Sequence, residues 1–388
     1  MTATPMLEAI VNEALLAACA ACLLVLAYTY VGYPVVIGIL AKLWPMKLVE
    51  EPAWRPTVSV LIPVHNAARY LVAKVESLLA LQYPADKLEI LVYSDGSDDD
   101  TPKVARELAA KHPTVKVIIA DQRLGKPAGV NRMLEIATGE VLLMTDVRQP
   151  LVEGALTALV SKLADERVAC VSGNLILEGE AGAGAYWRYE NWIRAQEARF
   201  RGMVGVTGPL YAIRKRDMAR LPSTIVLDDM WVPLRLRLEG KRIVFAEGAM
   251  CTDDAFGDQR EYGRKVRTLA GNYQLFSLLP GLLIPFKNPS WFETFSHKIM
   301  RLVCPWALGV LLASSVGAVW IGGVEPLEAW GLRALLGGQA IFYLLALLGD
   351  RTPVVRRGGS LARTFVVLNG AAIVGLYRFL RGAQKVTW

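Results

Sequence analysis

Residues 14 to 41 carry no charged side chain, and a helix crossing the hydrocarbon core of a bilayer needs about 20 consecutive apolar residues. The run is longer than a signal-peptide core and no small-residue cleavage site follows it, so residues 1–50 are expected to hold a retained anchor. Three more candidates lie at roughly 299–322, 330–348 and 361–377. Composition agrees: 53% of the 388 residues are hydrophobic and only 20% are charged, more apolar than a soluble domain.

Between anchor and C-terminal cluster, residues 51–275 have ordinary polar content and suffice for one large domain. Residues 276–298 are broken by Pro280, Gly281, Pro285 and Pro289 and are expected at the membrane interface, with Trp291 and Phe292 at headgroup depth. Residues 299–388 form the helical cluster. Lys42, Lys47 and Arg55 follow the first span, four arginines fall in 351–363, and 322–329 carries only Glu325 and Glu328. This bias places the large domain on the cytoplasmic face of the cell membrane. Four spans would leave Arg378, Arg381 and Lys385 outside, so the last segment is read either as a span or as re-entrant or interfacial.

The five cysteines are scattered, and their one CxxC, Cys19 and Cys22, lies inside the first span without a second ligand pair; packing is the expected role. Three histidines leave little for a His-based metal site. The net charge of +7 is accounted for by arginines facing anionic lipid, with no separate patch for nucleic acid.

Four apolar, β-branched-rich runs, 57–63, 88–95, 115–121 and 141–146, alternate with helical patterns; Thr101 is expected to cap one helix, with Pro102 in its first turn. Such alternation predicts a doubly wound parallel sheet with ligands at the strands' carboxyl ends. Polar residues collect there: His65 and Asn66 after the first strand, Asp95, Gly96, Ser97 and Asp98 after the second, Asp146 after the fourth. Each alone fits an ordinary turn; three converging on one crevice fit a ligand. No GxGxxG follows a strand and no GxxxxGK[ST] occurs, which removes the dinucleotide and P-loop phosphate cradles. Acids at the strand ends would repel a diphosphate unless a divalent cation, Mg²⁺ or Mn²⁺, intervenes at Asp146, with Lys126, Arg148 and the basic run 259–268 meeting phosphates.

"PVHNAARYL", "YSDGSDDDT", "GKPAGVN", "TDVRQP", "TGPLYAIRK" and "LDDMWVPLRLRLEG" stand in the order found in family 2 glycosyltransferases. Over roughly 57–275 the chain resembles the membrane-integrated members, the hyaluronan, cellulose and chitooligosaccharide synthases. The resemblance implies a GT-A-like α/β domain and a UDP-sugar donor. It puts Asp95 at the uracil with the Pro63 to Asn66 loop and Gly96 alongside, Lys126 near the nucleotide, and Asp146 on the metal. It makes Asp229 the general base and Arg267 the arginine that steadies the leaving diphosphate.

Chemistry asks for the same parts. A sugar hydroxyl is a poor nucleophile, so a carboxylate must take its proton while cationic groups absorb charge on the departing nucleotide, and one base opposite the leaving group means inversion. Asp228 either raises its neighbour's pKa or simply supplies charge at a helix start. Gly208 fits close backbone approach to a sugar or a bare turn. Two departures stand out: Arg148 replaces a second metal-side carboxylate, and "RKVRT" (264–268) keeps Arg267 of the "QxxRW" motif but has Thr268 in place of its tryptophan. The altered motif favours single addition to a glycan or lipid-linked acceptor over processive polysaccharide synthesis, in which a membrane partner could complete a channel. A nucleotide-sugar-binding protein without catalysis is the alternative of another class. In "AYWRYENWIRAQEARF" (185–200), Tyr186, Tyr189 and Ile193 share a stripe read as packing rather than acceptor binding.

Overall fold

The computed structural model describes residues 3–178, 181–254, 258–322, 325–349 and 356–384. Seven strands, β1 (Val58–Val64), β2 (Leu88–Asp95), β3 (Val115–Ala120), β4 (Val141–Thr145), β5 (Val168–Glu178), β6 (Leu210–Arg214) and β7 (Arg242–Asp254), form one sheet in the order β3-β2-β1-β4-β6-β5-β7. The four expected strands pair in parallel, Leu61 of β1 lying between Leu91 and Met144. The sheet is not parallel throughout. β6 runs antiparallel to both β4 and β5, bringing Leu210 beside Thr145. It thereby delivers the 207–210 loop to the ends of the parallel strands.

The strands are buried on both faces, as their continuous apolar runs predict. Val58, Val60, Ile62 and Val64 face the helices α3 (Ala68–Leu79), α4 (Thr101–Lys111) and α6 (Ala155–Leu163), filling one core with Leu71, Leu108 and Leu159. Leu61, Leu91, Tyr93 and Leu142 fill the other core with Met133 of α5 (Lys126–Ile136) and Leu234 of α8 (Asp228–Leu238). Full burial of each such side chain contributes about 1.5–3 kcal/mol. α5 lies directly on the Tyr93 ring because Gly129 has no Cβ; one placed there would sit 2.5 Å from the ring. The α4 start differs from expectation. Thr101 is buried and its hydroxyl accepts the Ala67 N–H at 2.8 Å, while Asp99 accepts the Thr101 N–H at 2.9 Å.

Among the described residues, four helical segments are long and apolar enough to cross a membrane: Met6–Leu43, Trp291–Ile321, Pro326–Leu348 and Gly358–Leu380. The first joins α1 (Ala3–Ala27) to α2 (Tyr33–Leu43) through a π-helical turn before Pro34. Proline cannot donate to the carbonyl four residues earlier; that carbonyl, of Tyr30, accepts from the Tyr189 hydroxyl of α7 (Ala181–Phe200) at 2.9 Å. α9 (Asp258–Leu278) leads to a turn at 280–283 that presents Leu283, Ile284 and Phe286 outward. Trp291 and Phe292 begin the second long segment, where α10 (Trp291–Glu293) continues through a π-helical stretch into α11 (Met300–Ile321). α12 (Pro326–Leu348) and α13 (Arg356–Leu380) follow. Gly375 of α13 packs on Leu269 and Ala270 of α9, and Phe379 stacks on Tyr273 at 6.2 Å. Arg351 and Lys385 of the charge-bias argument lie outside the described residues. All five cysteines are free and buried.

One buried network joins these segments to the domain. Glu197 of α7 accepts from Tyr33 and pairs with His297 Nδ1, both at 2.6 Å; Glu190 meets His297 Nε2 at 3.2 Å and also holds Arg301. Burial alone would raise the Glu190 carboxyl, but Arg301 and His297 hold it well below the usual range. Breaking a buried ionic network from one side costs about 3–5 kcal/mol. Glu197→Ala is therefore expected to lower the thermal unfolding midpoint of the purified protein by several degrees, read by tryptophan fluorescence; an unchanged midpoint would refute this role.

Candidate active site

Three chain segments meet at the carboxyl ends of β1 and β4. The first is the start of α5, whose N-cap Gly125 has φ +89°. The second is the end of β4. The third is the first turn of α8. Lys126 Nζ stands 3.3 Å from Asp146 Oδ1 and 3.4 Å from Asp228 Oδ2, so one ammonium is shared by two carboxylates from distant segments. Burial works to lower the Lys126 pKa, but Asp146, Asp228 and Asp229 hold it above its ordinary value. Burial likewise opposes ionisation of Asp146, and Lys126, Lys74 and Arg148 overcome it and keep the carboxyl low. Asp229 has the opposite balance. Burial and the neighbouring Asp228 push it up to about 6, against the pull of Lys126.

The other expected site residues serve this cluster to different degrees. Asp95 is fully buried, its oxygens accepting the N–H groups of Leu124 (2.7 Å) and Gly125 (2.8 Å), so in this structure it anchors the loop that delivers Lys126. Pro63 lies within β1, beside Tyr93 of β2. His65 Nδ1 meets the Asp95 carbonyl at 2.9 Å. Asn66, at φ +50°, accepts the Asp98 N–H at 2.9 Å, lacing the first two strand-end loops together. Gly96 is required there: its φ is +55° and a Cβ would lie 2.5 Å from the Arg123 backbone. Gly208 does allow a close approach, but its neighbour is Asp229, whose Oδ2 would be 2.8 Å from a Cβ at that position. Arg148 is turned toward β7, pairing with Asp253 at 2.9 Å. That buried acid also accepts from Gln149 and supplies a partner that the 145–150 stretch alone does not reveal.

The model of the family described as "Glycosyl transferase family 2" matches residues 59–220. That region is a family 2 glycosyltransferase domain. Glycosyltransferase AglE of Haloferax volcanii is 27% identical over 175 residues, covering 45% of this chain and 54% of that protein. The β-monoglucosyldiacylglycerol synthase of Trichormus variabilis is 23% identical over 195 residues, covering 47% of this chain and 42% of that protein. The chain thus spans about half the length of these curated relatives. Among solved structures, the mannosyltransferase PcManGT of Pyrobaculum calidifontis, in complex with GDP-Man and Mn²⁺, shares the fold: TM-score 0.73 and 24% identity over 94% of this chain and 99% of that one. The GT-A-like expectation is met, including the helices that flank the domain.

Beside Asp229 lies a cavity of about 650 Å³. Its polar end carries Gly208, Asp229 and Arg194, the latter reaching Thr207 at 3.3 Å. Its far end is made by Phe342 and Leu345 of α12 and Leu361, Phe365 and Leu368 of α13. Of the altered "QxxRW" stretch, Arg264, Lys265 and Thr268 reach this wall; Arg267 is not among the lining residues. Tyr186 and Tyr189, read as packing, also line the cavity, whereas Ile193 packs with Tyr33 and Ile37 as expected.

Two residues escaped the sequence reading. Lys74 is buried beneath the site, Nζ meeting Thr145 Oγ1 at 2.8 Å and the Gln149 carbonyl at 2.5 Å; burial lowers it to about 7. Its signal is a lysine on the apolar stripe Leu71, Val75, Leu78. Tyr211 of β6 has a buried hydroxyl without a hydrogen-bond partner, raised by burial and Asp228, and a strand tyrosine gives no such signal.

A carboxylate that takes a proton must be ionised, so the rate of sugar transfer is expected to fall about tenfold per pH unit below about 6 and to level off above it. Asp228→Asn removes the like charge and should move this acid limb to lower pH. A pH–rate profile whose limb stays in place or moves upward would contradict the coupling.

Proposed function

We propose that the protein is a membrane-integrated, inverting glycosyltransferase that moves one sugar from a nucleoside-diphosphate-sugar to a lipid-linked acceptor, in glycolipid or cell-surface glycan synthesis. The observation that carries this is the position of Asp229, between a carboxylate–lysine cluster suited to a diphosphate and a cavity whose far wall is made of membrane-type helices. The motif resemblance favours a UDP-sugar; PcManGT holds GDP-Man, so both nucleotides belong in the test.

The site suits a divalent cation of the Mg²⁺ or Mn²⁺ kind. The Asp146 side chain is 40% exposed, and buried Asp228 Oδ2 has only the Lys126 ammonium, at 3.4 Å, beside it. Among the described residues no group of three or more His, Cys, Asp or Glu could hold an ion alone. Mg²⁺ commonly takes one or two carboxylates and completes its shell with phosphate and water. Asp146 would hold it, and when bound it would neutralise charge on the diphosphate. The chain's own residues do the rest. Asp229 takes the acceptor hydroxyl proton as oxygen bonds the anomeric carbon, and the bond from that carbon to the diphosphate oxygen breaks, the electron pair leaving with the nucleotide. Lys126 remains beside the developing phosphate charge. The proposed donor contacts of Asp95, the Pro63 to Asn66 loop and Gly96 require the 122–125 loop to exchange its present hydrogen bonds. Arg267 is proposed to act on the leaving group from α9.

The membrane placement rests on the four apolar segments and the cationic residues after α2. α13 runs beside α9, which supports the interfacial reading of the last segment, in which Arg378 and Arg381 would lie on the cytoplasmic side.

Asp229→Asn is expected to lower transfer about 10²–10⁴-fold while nucleotide binding persists. Release of nucleotide at the wild-type rate would refute the base assignment and favour a binding-only protein. The measurement is nucleotide release and product mass over a panel of UDP- and GDP-sugars with Mg²⁺ or Mn²⁺; a mass ladder would overturn single addition. Ala362→Phe, which fills the cavity between α12 and α13, should raise KM for a lipid acceptor while sparing hydrolysis of the donor. Equal KM values would place the acceptor elsewhere.

A further inference from the structure

A second cavity, of about 580 Å³, lies at the other end of the sheet and carries five cations: Lys47, Arg167, Arg201, Arg237 and Arg242. β5 and β7 begin beside it, at Val168 and Arg242, whereas β4 ends at Thr145, next to Asp146; the antiparallel β6 between them fixes these as opposite ends of the sheet. No carboxylate lines it. Asp165 pairs with Arg167 at 2.6 Å from outside the lining, and Glu293 lies behind Arg237. Arg237 is only 3% exposed and is held in place by Ser290 Oγ at 2.7 Å and the Lys241 carbonyl at 2.9 Å. Burial and the neighbouring Arg242 and Arg201 lower its guanidinium to about 10, although Glu293 acts the other way. Arg242 has a buried Nη1 without a hydrogen-bond partner. Gathered like charges and an unpaired buried donor call for an anion, since both are costly when left alone.

The location names the kind of anion. Met46, in the lining, lies three residues after the end of α2 and its N–H bonds the Arg199 carbonyl at 2.6 Å; Pro289, also in the lining, lies two residues before α10. The cavity therefore opens where two candidate spans enter the domain, which the membrane-integrated reading puts at headgroup level. Guanidinium groups match phosphate in geometry, and the cytoplasmic leaflet carries the anionic lipids. We propose that this cavity binds the phosphodiester headgroup of an anionic membrane lipid, a site separate from the catalytic one. Phe200 and Met46 offer its glycerol and upper acyl carbons an apolar edge.

This rests on the membrane-integrated reading and is independent of donor and acceptor chemistry. The test reconstitutes the full chain in nanodiscs of phosphatidylcholine alone or with phosphatidylglycerol. Native mass spectrometry then counts retained phosphatidylglycerol, and thermal midpoints are read in parallel. Wild type should retain the anionic lipid and gain stability from it, and Arg201→Ala/Arg242→Ala should lose retention by at least about tenfold, as expected for two charged hydrogen-bond donors. Should the double variant fail to fold, Lys47→Ala and Arg201→Ala separately should each reduce the midpoint gain. Equal retention by variants and wild type overturns the proposal. So does a midpoint gain from inorganic phosphate in phosphatidylcholine discs that matches the lipid's, which would mark a free-anion site. A chain that does not enter discs at all overturns the membrane reading beneath it.

Discussion

The ammonium of Lys126, held between Asp146 and Asp228, is the interaction on which the candidate site depends. Three acids gathered in a partly buried crevice repel one another, and without a cation among them at least one would take up a proton. Lys126 holds the Asp146 carboxyl low, while burial and the adjoining Asp228 push Asp229 up to about 6. One lysine thus separates an acid suited to cations from an acid suited to proton transfer. Its position comes from Gly125, Gly129 and Asp95, which set the loop and helix that carry it.

A second buried cluster does for the architecture what Lys126 does for chemistry. Glu190, Glu197, His297, Arg301 and Tyr33 tie α2, α7 and α11 together, so the helical segments and the domain share one polar core. α7 serves both functions: one stripe packs Ile193 on α2, and another presents Tyr186, Tyr189 and Arg194 to the cavity beside Asp229. A surface helix would need only one such face. Two faces make α7 the seam between the candidate site and the apolar helices.

Much of this was legible residue by residue. β1 to β4 appear as apolar runs because a strand buried on both faces needs them, and Asp146 stands out because a carboxylate ending such a run has few structural uses. Lys126 was found through the "GKPAGVN" motif. Its partner Asp228, however, read equally well as helix-start charge, since a first-turn acid satisfies the helix dipole whatever lies opposite. Arg148 looked available for phosphate until β7 brought Asp253 beside it. Gly208 was recognised as a place of close approach, but what approaches is Asp229.

The apolar segments, the alternation of strand and helix, and the acids at strand ends can be read along the chain, because burial and backbone periodicity act within a few residues and leave a local pattern. That β6 runs antiparallel, that Lys126 is shared by two acids, and that a cavity joins Asp229 to α12 and α13 emerge with the folded chain alone. These depend on contacts between segments distant in the chain, where register and packing choose among partners that look alike in isolation.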